Sequence, residues 1–417
     1  MVTTRQTLRD LVVPAYVPII LGTVGSGMLI PVLPLYLTDQ ALSLGSVSLV
    51  LAGVGIGSMA GSVPAGEILG RFGERTAMVV SFVAMALATA PLGFTDAVLV
   101  LLALRVAFGM ASAMLRLSRQ TFITRRVETL QRGRALSFVG GSFRVALLIG
   151  PFLGGLLADA IGYRWTFVVA ALFAAAGLMP AWWSARSPMP LLPDAARASE
   201  RSLGMVAGLR HHWRRLALAG PVPLLVMAVR EGRFIVLPLI ADDLGLSATE
   251  VGGLVTVSTA ADLLLFPLAG FLMDRFGRLS AMVPAFSLVI LGLVMLAVAD
   301  SSLAVVMSGI VMGIGNGLGS GTMLTLGSDL APADAAGPFL AGMSLMQGAG
   351  RIVGALLVGL VGDTLGLGAA AMAFAIVMGI AIVWLVGVIG ESSDPERIRL
   401  RSLRVVEPSC VGKSGGK

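Results

Sequence analysis

The chain has 417 residues, 56% of them apolar and only 13% charged, with a mean hydropathy of +0.92. Soluble domains carry about a quarter of their residues as Asp, Glu, Lys or Arg, so a water-soluble globular fold is excluded. A net charge of +7 and an isoelectric point near 10.6 would suggest nucleic acid for a soluble protein, but in a membrane protein the placement of charge matters more than its sum.

The apolar runs are about 20 residues long, the length an α-helix needs to cross ~30 Å of hydrocarbon, and lack the short alternation of a barrel. The expected spans are 12–37, 46–69, 76–95, 97–119, 135–158 and 163–184, then 217–241, 250–273, 280–299, 302–326, 337–361 and 368–390. Twelve transmembrane helices are therefore predicted, in an all-α integral membrane fold. The first run follows Arg5 and Arg9 as a secretory leader would, but it is too long and ends in PVLPLYL without a small-residue cleavage site. The single Cys410 excludes a disulfide or a cysteine metal site within the chain.

Of the 30 basic residues, 22 fall in loops or at helix ends of one parity, Arg164 alone in loops of the other, and seven inside helices. By the positive-inside rule both termini are expected to be cytoplasmic, in a multi-pass protein of the plasma membrane. The opposite loops carry Asp39, Asp96, Asp159, Asp242, Asp243, Glu250, Asp300 and Asp363. The basic excess is thus a topology signal, and no nucleic-acid partner is expected. The stretch 185–215, with Pro188, Pro190, Pro193 and HHWRR, is the only long connection. The predicted division is an N-terminal half over 1–184, a cytoplasmic linker over 185–216, a C-terminal half over 217–391 and a disordered tail over 392–417.

GEILGRFGER at 66–75 and GFLMDRFGR at 270–278 begin 204 residues apart. The same offset links Pro34 with Pro238, Asp39 with Asp243, Gly109 with Gly313, Gly133 with Gly337, Gly150 with Gly354, Asp159 with Asp363 and Gly162 with Gly366. The chain therefore holds two copies of one unit, and two parallel six-helix halves describe one large class of secondary transporter.

In the second copy, Gly270, Asp274, Arg275, Gly277 and Arg278 interrupt two apolar runs. Glycine allows a tight turn, and an aspartate at a helix end can pair with arginines of the turn or of neighbouring helices. This stretch, with the repeat around it, resembles the major facilitator superfamily over nearly the whole chain. The resemblance implies the family's cytoplasmic loop signature between the second and third helices of a half, whose aspartate helps latch the halves. The first copy keeps Gly66, Arg71 and Gly73 but has Gly70 at the aspartate position and Glu74 at an arginine position. Asp274 is then the intact member, with Arg132 or Arg134 as its expected partner.

GPFLGG at 150–155 supplies Gly150, Pro151, Gly154 and Gly155 and resembles the family's fifth-helix signature associated with exporters and antiporters. The match is partial, because Ala146 and Ser137 stand where upstream glycines would. Glycines at this spacing also let helices approach closely. Arg105 with Gly109 matches a shorter family signature in which the arginine is linked to proton transfer. Arg116 and Arg119, nearer the same helix's cytoplasmic end, are long enough to snorkel to the interface.

Near mid-membrane depth lie Arg144, Arg230, Glu231, Arg233, Asp262 and Arg351. Each costs about 2.5–3.5 kcal/mol at the centre of a spanning helix, so each needs a partner or a polar pathway, and a central cavity is expected. Glu231 and Asp262 are the deep carboxylates and hence the candidate proton carriers. The plain alternative for Glu231 is a static ion pair with Arg230, Arg233 or Arg351, while Asp262 has fewer charged neighbours in sequence and reads as the better carrier. Counting Arg105, the interior holds five arginines against two carboxylates, which favours an anionic or amphiphilic acid over a simple cation. Asn316 and Gln347 add hydrogen-bonding capacity to the cavity or to a helix contact.

Three apparent motifs carry no function. GVGIGSMAG at 53–61 contains a dinucleotide-type pattern, but inside a spanning helix its glycines fit helix packing. The GKS at 412–414 lacks the earlier glycine of a phosphate loop, and His211 with His212 has no further ligands for a metal. The expectation is a proton-coupled, non-enzymatic secondary transporter resembling drug:proton antiporters, monomeric, with membrane lipid around it and no cofactor or metal. It would export small amphiphilic molecules, a multidrug-resistance type of efflux, by rocking of the halves. The alternatives are an importer or uniporter of an organic anion and, from another class, a non-transporting receptor, against which the interior charges speak.

Overall fold

The computed structural model of the chain describes residues 17–126, 129–179, 210–332 and 335–391, and of these only the helical backbone at 18, 19, 63, 124–126 and 129–140. Most of the expected linker and all of the tail lie outside the described residues. Among the described residues the chain is helical, with no strand. The first copy supplies α1 (Val17–Asp39), α2 (Leu44–Ala60), α3 (Ser62–Thr89), α4 (Val98–Arg126), α5 (Thr129–Ile161) and α6 (Tyr163–Ala176). A short α7 (Trp213–Ala219) leads into the second copy. That copy supplies α8 (Pro221–Asp243), α9 (Ala248–Phe276), α10 (Arg278–Ala297), α11 (Ser302–Leu318), α12 (Thr322–Leu330), α13 (Ala336–Leu365) and α14 (Leu367–Trp384).

The repeat recurs in the element boundaries. Both ends of α1 and α8, the starts of α2 and α9, of α4 and α11, and of α6 and α14, and the ends of α5 and α13 all stand 204 residues apart. Local chemistry fixes these points. Ser43 and Ser247 cap α2 and α9, each hydroxyl accepting from the backbone N–H three residues on, and Glu250 completes a capping box at Ser247. Gly73 and Gly277, at φ 77° and 91°, turn the chain within each signature loop, a conformation that favours glycine.

Nine helices among the described residues are long and apolar enough to cross a membrane. Leu44–Ala60 and Tyr163–Ala176 are apolar but shorter. Pro221–Asp243 is long but carries Arg230, Glu231, Arg233, Asp242 and Asp243.

Helix packing rests on small residues, because lipid gives helices no hydrophobic reason to associate. A Cβ on Gly150 would lie 2.8 Å from Gly27 Cα of α1, and one on Gly354 would lie 2.8 Å from Ala228 Cα of α8. Across the copies α5 packs on α9 and α2 on α13. Gly155 meets the Ala248 backbone, and Gly359 comes within 2.8 Å of Gly45 Cα by the same measure. The fifth-helix motif is therefore a packing seam on two fronts, Gly150 and Gly154 toward α1 and Gly155 toward the other copy.

The same two contacts are clasped at one face. Asp159, at the end of α5, accepts from the Ala248 and Thr249 N–H groups at 3.2 and 2.8 Å in the first turn of α9. Asp363, at the end of α13, accepts from Gly45 N–H at 2.7 Å in the first turn of α2. First-turn amides have no intrahelical acceptor and carry positive partial charge, so a carboxylate there is stabilised. Donors and acceptors are again 204 residues apart.

Candidate functional site

Two polar clusters lie where the copies meet. The first is built on α9, whose Asp262 receives Arg144 of α5 at 3.5 Å (Nη1 to Oδ1) and Asn316 of α11 through a short hydrogen bond to Oδ2. Arg144 also donates to Ser320 Oγ, and its guanidinium stacks over Phe266 at 3.9 Å. Side-chain exposures of 24% and 17% make Arg144 and Asp262 a largely enclosed pair joining the copies.

From α8, Arg230 and Arg233 reach the same neighbourhood. Three residues apart, they share a helix face. Arg230 Nη2 donates to the Gly319 carbonyl at 3.2 Å, and Arg233 Nη1 to the Met312 carbonyl at 3.3 Å. The acceptors lie on α11 or at its end, where the chain breaks over Gly319, Ser320 and Gly321 before α12. In α4, the related helix of the first copy, the chain is continuous from Val98 to Arg126.

The second cluster centres on Glu231, rotated about 100° around α8 from Arg230. The charges acting on it are Arg351 of α13 and Arg105 of α4, one from each copy. Among the described residues no ion pair within 4 Å reaches it, so the alternative static pair with Arg230, Arg233 or Arg351 is not formed in this structure. Asp262, which has fewer charged neighbours in sequence, is the carboxylate that is paired here. Arg105 packs its Cβ against Gly53 and has enclosed Nε and Nη1 atoms with no hydrogen-bond partner among the described residues. Arg116 is exposed, as the reading of a side chain that snorkels to the interface expects. Gln347 stands one turn before Arg351 on α13 and makes no hydrogen bond among the described residues.

At the loop signature of the second copy, Arg278 Nε holds Asp329 at 3.0 Å and Nη1 meets Asp274 at 3.5 Å. Glu391 accepts from the Arg278 and Leu279 N–H groups at 2.7 and 3.0 Å, closing the start of α10. Asp329 and Glu391 escaped sequence reasoning because neither belongs to the signature. Asp274 is 83% exposed in this pairing, and the side chains of Arg132 and Arg134 lie outside the described residues. In the first copy Arg71 pairs with Glu67 at 2.9 Å on the surface, while Glu74 is buried and engaged. Gly66 and Gly270 have open space around them, so they are not tight contacts here. Among the described residues no group of three or more His, Cys, Asp or Glu is placed to hold a metal ion.

The family model of the Major Facilitator Superfamily matches residues 19–229 and again 222–407. The chain belongs to that family. Its double match agrees with the internal repeat. An uncharacterized MFS-type transporter of Mycobacterium tuberculosis is 33% identical over 105 residues, 25% of this chain and 18% of that protein. Multidrug resistance protein 1 of Bacillus subtilis is 28% identical over 150 residues, 36% of this chain and 38% of that protein. The chain thus spans well under half the length of these relatives. Solved structures resemble it over more of the fold. The nucleoside transporter NupG has a TM-score of 0.71 at 14% identity, covering 91% of this chain and 97% of that one. A D-xylose-proton symporter has a TM-score of 0.71 at 16% identity, covering 93% and 98%. At such identities the likeness is one of fold. The chain is thus a multi-pass membrane member of the Major Facilitator Superfamily.

Proposed function

We propose that this major facilitator protein is a proton-coupled antiporter that exports small amphiphilic molecules by alternating access. It sits in the plasma membrane with twelve spans, two halves over 1–184 and 217–391, and both termini cytoplasmic. The observation that carries the coupling is Glu231: a deep carboxylate with no close ion pair among the described residues, in the field of Arg351 of one copy and Arg105 of the other. A proton on Glu231 cancels its attraction to both arginines at once, and so changes the balance that draws the copies together around it. Relatives named multidrug resistance proteins support export of drug-like molecules. With the basic loops inside, the face clasped by Asp159 and Asp363 is the outer one, and the state described is closed to the outside.

The test is transport in proteoliposomes under an imposed pH gradient, with organic cations and anions as substrates and internal pH recorded. Glu231→Gln is expected to abolish proton-driven accumulation while leaving substrate exchange. Asp262→Asn is expected to impair both, because it breaks the pair that joins the copies. Unchanged pH dependence in both variants would sink the coupling. The charge balance favours one second reading, an importer or uniporter of an organic anion. It would show as substrate uptake down its own gradient with no proton movement.

A further inference from the structure

Arg233 is only 3% exposed, and its enclosed Nε has no hydrogen-bond partner among the described residues, while Nη1 is engaged by Met312. Beside it lies a small cavity with room for a single small guest. Its polar side is formed by Arg230, Arg233 and Asn316, its apolar side by Phe286, Val289 and Met378. These residues come from α8, α10, α11 and α14, so the cavity is lined by the second copy alone.

The charge around this cavity is unbalanced. Asp262 is the carboxylate acting on Arg230 and Arg233, and its oxygens are already taken by Arg144 and Asn316. Arg230 also lies within the fields of Arg233 and Arg144. A water molecule in the cavity would satisfy a stray N–H but leave three guanidiniums sharing one carboxylate. A small anion would do both.

We propose that this cavity binds a small inorganic anion of about chloride size, held by Arg230 and Arg233. Its place gives it a consequence. Arg230 donates to Gly319 at the break between α11 and α12, and the adjacent Ser320 receives Arg144 from the other copy. The anion holds α8 against that break and so steadies the mount of the cross-copy cluster. This inference is independent of whether the transporter is coupled to protons.

The experiment compares the purified full chain in sodium chloride, sodium bromide and sodium gluconate at equal ionic strength. Chloride and bromide are expected to raise the unfolding temperature along a saturable curve that gluconate does not give. A crystal grown in bromide is expected to show an anomalous peak between the Arg230 and Arg233 guanidiniums. Val289→Met, which fills the cavity and keeps every charge, should remove the saturable rise, as should Arg233→Gln if it folds. Identical unfolding temperatures in all three salts, or a site without anomalous signal, overturn the proposal. Competition between chloride and a transported organic anion also overturns it, because the guanidiniums would then serve the substrate's own anionic group.

Discussion

At the scale of single residues, the pair Arg144–Asp262 is, among the described residues, the one ionic contact across the copies with both side chains largely enclosed, at 24% and 17% exposure. A hydrogen bond to a charged group contributes about 1.5–3 kcal/mol, and more is lost when a partner is left buried and alone. Arg144→Gln is therefore expected to lower stability by roughly that amount and to impair transport. The exchanged pair Arg144→Asp with Asp262→Arg should recover part of the loss. Unfolding temperature and transport of the four proteins form a double-mutant cycle, and a coupling near zero would show the contact to be incidental. That Asp262 is the paired carboxylate was not legible in the sequence, since its partners come from α5 and α11. For Glu231 the sequence left two readings open, a proton carrier or a static pair with Arg230, Arg233 or Arg351. The helical period turns residue 231 away from the face that 230 and 233 share.

At the scale of elements, the sequence showed most of what local chemistry decides. The glycines at 73 and 277, the cap serines at 43 and 247, and the acidic residues at 159 and 363 all carried the 204-residue spacing, because turns and caps are written in neighbouring residues. The destination of a helix-end carboxylate is a tertiary matter. Asp159 and Asp363 could be placed on the acidic face, but not on the first turns of α9 and α2. Losing such a cap costs about 0.5–2 kcal/mol, here charged against the closed state of that face alone. Asp159→Ala and Asp363→Ala are each expected to raise the open population at the acidic face. The double variant should raise it by the product of the two factors, because the clasps are separate. Spin labels on the ends of α5 and α9 would measure it as a longer inter-label distance. No shift in the double variant would mean that glycine packing at 155 and 359 closes the face unaided.

At the scale of the whole molecule, the departure from symmetry is the informative part. The break at Gly319, Ser320 and Gly321 has no counterpart in α4, and it bears contacts from Arg144 and Arg230. The glycine-rich run GNGLGSGT at 315–322 could have announced it, but in a chain with 53 glycines most serve packing, and composition does not separate the two uses. Gly321 has φ +81° and open space where a Cβ would go, so alanine there meets only the backbone cost of about 1–2 kcal/mol. Gly379, within α14, also has open space but a helical backbone, and alanine there is expected to be neutral or to stabilise by up to about 1 kcal/mol. If the break is the joint on which the cross-copy cluster moves, Gly321→Ala also slows turnover beyond its effect on stability. Gly379→Ala should leave turnover at the parent rate. Unfolding temperatures and single-turnover transport of the two variants decide the matter, and equal behaviour would remove the break from the transport cycle.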